Sequence, residues 1–383
     1  MSEVEIHGTV SPGFEPVREA FAANFAERGE IGASVAVVIR GTPVVNIWAG
    51  SASPDGSRPW QEDTLTNVWS TTKAVTSLSA HILIDRGELD PDAPVARYWP
   101  EFAQSGKDEM PVRWLMCHKS GLTGLAVPTV VSDYYDWDKI TSLLAAQAPL
   151  FPPGTTTGYQ AMTFGFLVGE VIRRITGQTP GQFARTEVAE RVGADFYLGL
   201  PASELGRCSD VQGVRLSDDE QAAIAQAYAN AAPAALAALV NPALTGDEAN
   251  DPAWRAAELP AANGHTTALA LATIFGAVAD GSGTFISPGT LAKVRAGEGK
   301  YTDLVLGFPL EFGLGIALSG PEGHYGPNPV SFGHDGFGGS AVGCDPEAGL
   351  AFGYVMNRMG MNLADDPRKM AVIEGIYLSL NGG

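Results

Sequence analysis

Residue runs that favour β-strands lie in two groups near opposite ends of this chain. The first group, at 33–39 and 44–48, flanks a short turn at Gly41 and is typical of a β-hairpin. The second group comprises glycine-separated runs at 312–318, 330–333, 340–345 and 350–357. Between the two groups the pattern is mostly helical. The simplest packing joins both groups in one antiparallel sheet and leaves the helical middle as an insertion.

Helical periodicity predicts terminal helices at 14–28 and 366–380, which would cover this sheet. Further helices are predicted at 70–86, 112–117, 164–175, 218–239 with a break near Pro233, and 267–279. We therefore expect a single α+β domain over 1–383, an α/β sandwich with an inserted helical subdomain. The α/β subdomain would combine about 1–60 with 285–383, and the helical subdomain would span about 61–284. Ligand sites favour the cleft between two such parts.

Charge and cysteine content narrow the classes of function. The 383 residues carry a formal net charge of -19 at pH 7 and contain no basic run, which argues against nucleic acid and anionic membrane surfaces as partners. The first residues lack a signal-peptide pattern, and no apolar run approaches membrane-spanning length. Cys117, Cys208 and Cys344 are scattered, without the paired spacing of a zinc site. We expect a cytoplasmic protein with free thiols and no metal, and the oligomeric state stays open.

A serine and a lysine stand three residues apart where a helix is predicted to begin, as Ser70 and Lys73. On a helix this spacing places both side chains on one face. A serine hydroxyl becomes a good nucleophile only when a base takes its proton. Lys73 can be that base only if burial brings its pKa well below the usual value of about 10.4. The alternative is an ordinary serine at a helix start and a solvated lysine.

Two other segments can add polar groups to such a site. Tyr159 ends the turn PGTTTGY before a predicted helix, and its phenol can share a proton with a lysine or simply pack in the core. The segment 332–340 reads FGHDGFGGS. Its glycines allow a backbone to approach a substrate, and its N–H groups can form half of an oxyanion hole. His334 can orient a bound acyl group, or it is a structural histidine in a glycine-rich bend.

In this order, the three motifs resemble those of the serine β-lactamase-like superfamily, class C branch, and the chain is most similar to the family VIII carboxylesterases. Residues 114–122 (WLMCHKSGL) and 345–350 (DPEAGL) are similar to further segments of that family. The resemblance covers almost the whole chain. It implies the class C β-lactamase/DD-peptidase-like fold, with an antiparallel sheet flanked by terminal helices, and it implies no cofactor.

The resemblance also implies roles for individual residues. Ser70 would be the acylated nucleophile, with Lys73 and Tyr159 as the general base pair, and Tyr159 would also protonate the leaving group. The N–H groups of Ser70 and Phe337 would form the oxyanion hole. His334 and Gly336 would contact the substrate.

Two departures from the β-lactamases of this branch bear on the substrate. Ala161 stands where they have the asparagine of Tyr-x-Asn, and His334 stands where they have the lysine of Lys-Thr-Gly, a cation that meets the β-lactam carboxylate. Both changes favour uncharged esters. We therefore predict a carboxylesterase that cleaves small, neutral, short-chain esters through acyl-Ser70. The alternatives are an acyltransferase with the same acyl-enzyme, a weak β-lactamase or DD-peptidase, and a binding protein without turnover.

Other side chains near these motifs carry expectations of their own. Tyr134, Tyr135 and Trp137 belong to an aromatic loop that either walls the acyl pocket or is pinned at the surface by its own rings. His118 is expected to hold its loop together. Asp335 is expected to face solvent, because Lys73 and Tyr159 already supply the base. An α/β-hydrolase is disfavoured, since the chain has no G-x-S-x-G pentapeptide.

Overall fold

Both groups of strands meet in one sheet of seven strands. The computed structural model describes residues 4–320, 323–362 and 365–382. The strands are β1 (Ile6–Val10), β2 (Gly32–Ile39), β3 (Thr42–Gly50), β4 (Thr66–Asn67), β5 (Phe196–Tyr197), β6 (His265–Thr266), β7 (Lys300–Thr302), β8 (Pro309–Glu311), β9 (Ala317–Leu318), β10 (Phe332–Asp335), β11 (Ala341–Asp345) and β12 (Leu350–Met356). The order in the large sheet is β1-β3-β2-β12-β11-β10-β9, antiparallel throughout. The predicted union of the two strand groups is confirmed, through the pairing of β2 with β12.

The helices occupy the ends and the middle of the chain. They are α1 (Glu15–Glu27), α2 (Thr72–Asp85), α3 (Val112–Met116), α4 (Trp137–Ala146), α5 (Thr163–Thr176), α6 (Pro180–Ala184), α7 (Glu190–Val192), α8 (Asp218–Ala229), α9 (Pro233–Leu239), α10 (Pro252–Ala256), α11 (Ala268–Ala279), α12 (Pro288–Val294) and α13 (Pro367–Leu380). A π-helical turn, Arg185–Ala189, joins α6 to α7, and short 3-10 helices include Trp69–Thr71 and Val131–Tyr135. The predicted break near Pro233 is confirmed, because α8 ends at Ala229 and Pro233 begins α9.

Helices cover the large sheet on both faces. On one face lies α11, so close that a side chain at Gly353 of β12 would reach within 2.4 Å of the Ala268 carbonyl oxygen. The next residue, Tyr354, points to the other face, where its hydroxyl bonds Glu30. The terminal helices α1 and α13 pack against each other. The helix α11 therefore belongs to the layers of the sheet, although it falls within the range 61–284 assigned to the helical subdomain.

A buried ionic cluster joins the start of α13 to the sheet and to the glycine-rich segment. The Arg368 guanidinium lies 3.3 Å from Glu30 and 2.8 Å from Asp366, and its side chain and that of Glu30 are 5% and 0% exposed. It also donates a 2.6 Å hydrogen bond to the Gly338 carbonyl oxygen. Charges buried to this extent are stable only when paired. Through the Gly338 carbonyl oxygen, the cluster therefore holds the segment after β10 in place.

The predictions differ from the large sheet at its two edge strands, β1 and β9. The strand β1 was not predicted, and it pairs with β3 at the edge of the sheet. The run 312–318, predicted as one strand, contributes only β9 to the large sheet, while β8 begins earlier and pairs with β7 in a separate small sheet. The cysteines are buried and unpaired. Among the residues with described positions, no helix is long and apolar enough to cross a membrane.

Candidate active site

Ser70 lies in the short 3-10 helix Trp69–Thr71, directly before α2. Trp69 has φ 46°, in the left-handed region that residues with a side chain seldom adopt. Its ring packs at 5.2 Å from Trp254 and at 5.6 Å, edge-on, from Phe337. Such a backbone persists where its surroundings over-determine it, and it often marks a functional position. The packing of Trp69 thus fixes the turn that presents Ser70.

Lys73 lies in the first turn of α2 and is fully buried. Its Nζ is 2.9 Å from Ser70 Oγ, 2.7 Å from the Ala161 carbonyl oxygen and 3.0 Å from the Ala261 carbonyl oxygen. Burial lowers the pKa of Lys73 well below its ordinary value. No carboxylate forms an ion pair with it within the described part of the chain. Nothing ionic therefore compensates the desolvation of an ammonium at this position.

The three partners of Lys73 fix what a neutral amine would do here. A neutral amine has two N–H groups and one lone pair. The carbonyl oxygens of Ala161 and Ala261 can only accept, so they take the two N–H groups. The lone pair is then left to Ser70 Oγ, whose hydroxyl proton it can accept. This arrangement suits a serine nucleophile beside its general base.

Tyr159 brings a phenol to the same place. Its ring centroid lies 4.8 Å from Lys73 Nζ, and Tyr159 lines the same cavity as Ser70. Burial raises the pKa of Tyr159, and the nearby Ser70 side chain only partly opposes this. Burial thus pushes the Lys73 and Tyr159 pKa values apart, which leaves the amine as the proton acceptor and the phenol as a proton donor.

His118 fixes the segment around Tyr159, beyond the expectation that it would hold its own loop. Its ring Nδ1 accepts from the Gln160 N–H at 3.1 Å, and its carbonyl oxygen accepts from the Gly158 N–H at 2.9 Å. Its ring also packs 4.7 Å from the Tyr159 ring. Because the residues on either side of Tyr159 are both held by His118, the phenol has little freedom to leave Ser70.

The glycine-rich segment after β10 is attached to the Ser70 turn by a serine. The Ser340 hydroxyl donates to the Val68 carbonyl oxygen at 2.8 Å and lies 3.1 Å from the Thr71 hydroxyl. A side chain at Gly336 would lie 2.3 Å from the Val68 carbonyl oxygen. Only glycine permits so close an approach of the two backbones. Phe337 follows directly and contacts Trp69, so its N–H belongs to the same corner of the site.

His334, in β10, is held in one tautomer. Its Nδ1 lies 2.8 Å from the Asp335 carbonyl oxygen, which can only accept, so Nδ1 carries the proton. Burial first, and then the proximity of Lys73, lower the pKa of His334 to about 3. Its Nε2 is buried without a hydrogen-bond partner among the described residues. The imidazole is therefore neutral at pH 7, and Nε2 is an acceptor.

The expectation that Asp335 faces solvent is wrong. Its carboxylate lies 2.9 Å from Lys369 Nζ of α13 and accepts from the Tyr325 hydroxyl at 3.1 Å. The Asp335 and Lys369 side chains are 14% and 1% exposed. The physical reason is that β10 ends against α13, which supplies a cation from far along the sequence. Asp335 is thus a largely buried, ion-paired anion beside His334.

Ser70 and Tyr159 open onto a cavity of about 460 Å³. His334, Gly336 and Phe337 line it too, so the structure brings these predicted residues together. Its other walls are mostly apolar and come from Ala161 and Met162, from Ile224 and Tyr228 of α8, from 238–240 and 242–245, and from Leu306, Phe308, Leu310 and Phe312. These walls were not predicted, because an alanine-rich helical pattern indicates helices without indicating where they pack.

The aromatic loop does not reach this cavity. Tyr134, Tyr135 and Trp137 line a separate cavity of about 420 Å³ together with Arg173 and Glu258. The Trp137 indole donates to Glu170 at 2.8 Å, and the Tyr134 hydroxyl donates to the Asn241 carbonyl oxygen at 3.3 Å. These contacts turn the rings away from Ser70. We therefore exclude the three aromatic residues, predicted as walls of the acyl pocket, from the candidate site.

Within 4–320, 323–362 and 365–382, no group of three or more His, Cys, Asp or Glu side chains is placed to hold an ion.

Comparison with known proteins agrees with this geometry. The beta-lactamase family model matches residues 17–375. The chain is 35% identical over 372 residues to the esterase/beta-lactamase LipL of Mycobacterium tuberculosis (strain ATCC 25618 / H37Rv), covering 92% of this chain and 83% of LipL. A crystal structure of a family VIII carboxylesterase superposes with a TM-score of 0.91 at 42% identity, over 98% of this chain and 100% of that one.

A penicillin-binding protein homologue from Caulobacter crescentus gives a TM-score of 0.88 at 39% identity, over 98% of this chain and 100% of that one. The match to the family model and to LipL extends over most of the sequence, and it includes the Ser70 turn, the Tyr159 segment and β10. The chain therefore belongs to the beta-lactamase family, as a serine hydrolase of the family VIII esterase and beta-lactamase-like type.

Proposed function

We propose that this protein is a carboxylesterase that cleaves small, neutral, short-chain esters through a covalent acyl-Ser70 intermediate. The observation that carries the proposal is the set of partners around Lys73. Two backbone carbonyl oxygens occupy the N–H groups of the buried amine, and its third partner is Ser70 Oγ. A buried amine whose lone pair is left to the Ser70 hydroxyl as its proton donor is suited to activate that hydroxyl.

The reaction would begin with attack of Ser70 Oγ on the ester carbonyl carbon while Lys73 takes the hydroxyl proton. The carbonyl oxygen would gain negative charge and accept hydrogen bonds from the N–H groups of Ser70 and Phe337. The C–O bond to the alcohol would then break, with Tyr159 protonating the departing alkoxide and regaining a proton from Lys73. Water would attack the acyl-enzyme in the same way and release the carboxylic acid and free Ser70.

The preference for uncharged esters rests on the walls of the cavity. Among its described lining residues the only ionisable group that is charged at pH 7 is Asp335, which Lys369 already neutralises. His334 is neutral and presents an acceptor, so it offers no cation to a carboxylate. An anionic substrate would lose its hydration without gaining a partner. An uncharged ester avoids that penalty.

The decisive experiment compares Ser70→Ala with Ser79→Ala. Ser79 lies on α2 and bonds the Val75 carbonyl oxygen of its own helix, so it is a matched serine outside the cavity. We expect Ser70→Ala to lose at least about a thousandfold of the turnover of p-nitrophenyl butyrate at unchanged melting temperature. Ser79→Ala should retain turnover. A phosphonate probe should add one phosphonyl mass to the wild type and none to Ser70→Ala.

Retained turnover in Ser70→Ala would refute the proposal. A chromogenic cephalosporin, used as a second substrate, tests the preference for esters. Hydrolysis of the cephalosporin at a rate rivalling the ester would instead favour a β-lactamase. Transfer of the acyl group to added alcohols in preference to water would favour an acyltransferase.

A further inference from the structure

The helix α8 is held on the molecule in an unusual way. None of its twelve residues is buried, and only Ile224 and Tyr228 are partly covered. These two residues are four apart, so they lie on one face of the helix. Both line the cavity that contains Ser70. The only face that α8 turns towards the protein is thus the face above the candidate site.

Polar contacts do not anchor this helix to the rest of the structure. Ser217 and Glu220 form a capping box at its start, and Gln221 bonds the Leu216 carbonyl oxygen. Among the described residues the side-chain hydrogen bonds of α8 stay within the helix and its immediate flanks. The following helix differs, because α9 buries Ala234, Ala235, Ala237 and Ala238 against the protein. The position of α8 therefore depends on Ile224 and Tyr228.

Other walls of the cavity are apolar as well. Met162 and Phe312 line it, and Leu310 of β8 does so too. An apolar chain placed between these residues and α8 would remove Ile224 and Tyr228 from water at the same time as itself. The hydrophobic gain for each methylene group is about fourfold in an equilibrium or rate constant.

We propose that Ile224 and Tyr228 form the roof of the substrate-binding cavity and set how strongly the enzyme favours longer apolar chains on its ester. This inference rests on the proposed esterase function and names the part of the site that selects among neutral esters. The residues do not touch the reacting atoms; they contact the apolar chain of the substrate.

The test is the double variant Ile224→Ala/Tyr228→Ala, measured with p-nitrophenyl acetate, butyrate and hexanoate. The readout is the ratio of kcat/KM for hexanoate to that for acetate, which compares four methylene groups and cancels losses common to all esters. A second series of alkyl acetates varies the alcohol side. Gln226→Ala, on the exposed face of α8, is the matched control.

Within the short-chain range from acetate to hexanoate, we expect the wild-type kcat/KM to rise with chain length in at least one series, and the double variant to lower the hexanoate-to-acetate ratio at least about tenfold. Gln226→Ala should leave the ratio within about twofold of the wild type. Ile224→Trp, which fills the cavity instead of emptying it, should shift the preferred chain to a shorter length. Because Ile224→Trp adds volume instead of removing it, its result tests the proposal even if the double variant does not fold.

Unchanged ratios in both series for the double variant and for Ile224→Trp would overturn the proposal, as would a wild type without any rise with chain length. These outcomes differ from failure of the esterase function. That failure would appear as ester turnover which persists in Ser70→Ala, or as no turnover at all.

Discussion

Removal of the Lys73 amine tests the mechanism most directly. Lys73→Met keeps an unbranched side chain in the same space, but it removes the N–H groups and the lone pair. A positioned general base contributes about 10²–10⁴-fold to a rate. We therefore expect kcat/KM for p-nitrophenyl butyrate to fall by that factor, or about 3–5 kcal/mol of transition-state stabilisation. Lys73→Arg should lose as much, because a guanidinium can donate hydrogen bonds but cannot give up its proton.

A second buried lysine provides the control for stability. Lys107 is also 0% exposed, and its Nζ donates to the Gln104, Ala145 and Gln147 carbonyl oxygens at 2.8, 3.0 and 2.5 Å. Methionine at either position leaves carbonyl oxygens unpaired, at about 1–3 kcal/mol for each one that stays buried. Both variants should therefore unfold at lower urea concentration. Only Lys73→Met should lose turnover, since no partner of Lys107 is a serine hydroxyl.

The assay is steady-state hydrolysis of p-nitrophenyl butyrate alongside urea unfolding of each variant. The reasoning would be refuted if Lys73→Met kept kcat/KM within about tenfold of the wild type, or if Lys73→Arg remained active. It would also be refuted if Lys107→Met lost turnover as completely as Lys73→Met, because burial of a lysine alone would then account for the loss.

Three further predictions concern pH, the glycine contact and the buried cluster. Lys73 must be neutral to act, and burial lowers its pKa. We therefore expect kcat/KM to rise with pH as the amine loses its proton and to level off well below pH 10.5; a rise that continues to pH 10.5 would contradict this. Gly336→Ala should lower the free energy of unfolding by about 1–3 kcal/mol and also reduce kcat, since its new side chain would lie 2.3 Å from the Val68 carbonyl oxygen. Gly206→Ala has open space around it and should change neither quantity. Urea unfolding and ester assays measure both. Arg368→Met leaves Glu30 buried without its cation and should cost about 3–5 kcal/mol of stability in urea unfolding. Arg215→Met, at an exposed ion pair, should cost less than about 1 kcal/mol. Equal losses would argue against a stabilising role for the buried cluster.

The sequence predicted most of the large sheet and the terminal helices because their patterns are local and strong. The helix α5 has a clear apolar face and ends at Gly177, which adopts the left-handed conformation expected of a helix end. The strand β1 escaped detection because it lies at an edge, is mostly exposed and contains Gly8, so it carries little hydrophobic signal.

The candidate site could be predicted where its chemistry lies within a short motif. Ser70 and Lys73 are three residues apart, so their contact follows from helix geometry. The partners of Asp335 could not be predicted, because Lys369 reaches it only through the packing of α13 against β10. The place of Trp137 was equally hidden, since an aromatic ring in a sequence indicates burial without indicating which cavity it lines.

The hydrogen bond from Ser340 to the Val68 carbonyl oxygen joins positions 272 residues apart in the sequence. During synthesis, Ser70 leaves the ribosome long before β10 and β11 exist, and β2 waits equally long for β12. Contacts of such sequence separation form late, because the chain must first close a very large loop. The nascent protein therefore carries Ser70 for a long stretch of translation without the strand that completes the candidate site. On the proposed mechanism, acylation of Ser70 would become possible only after β10 and β11 have been made and paired, so the serine would stay unreactive while the surrounding fold is still incomplete.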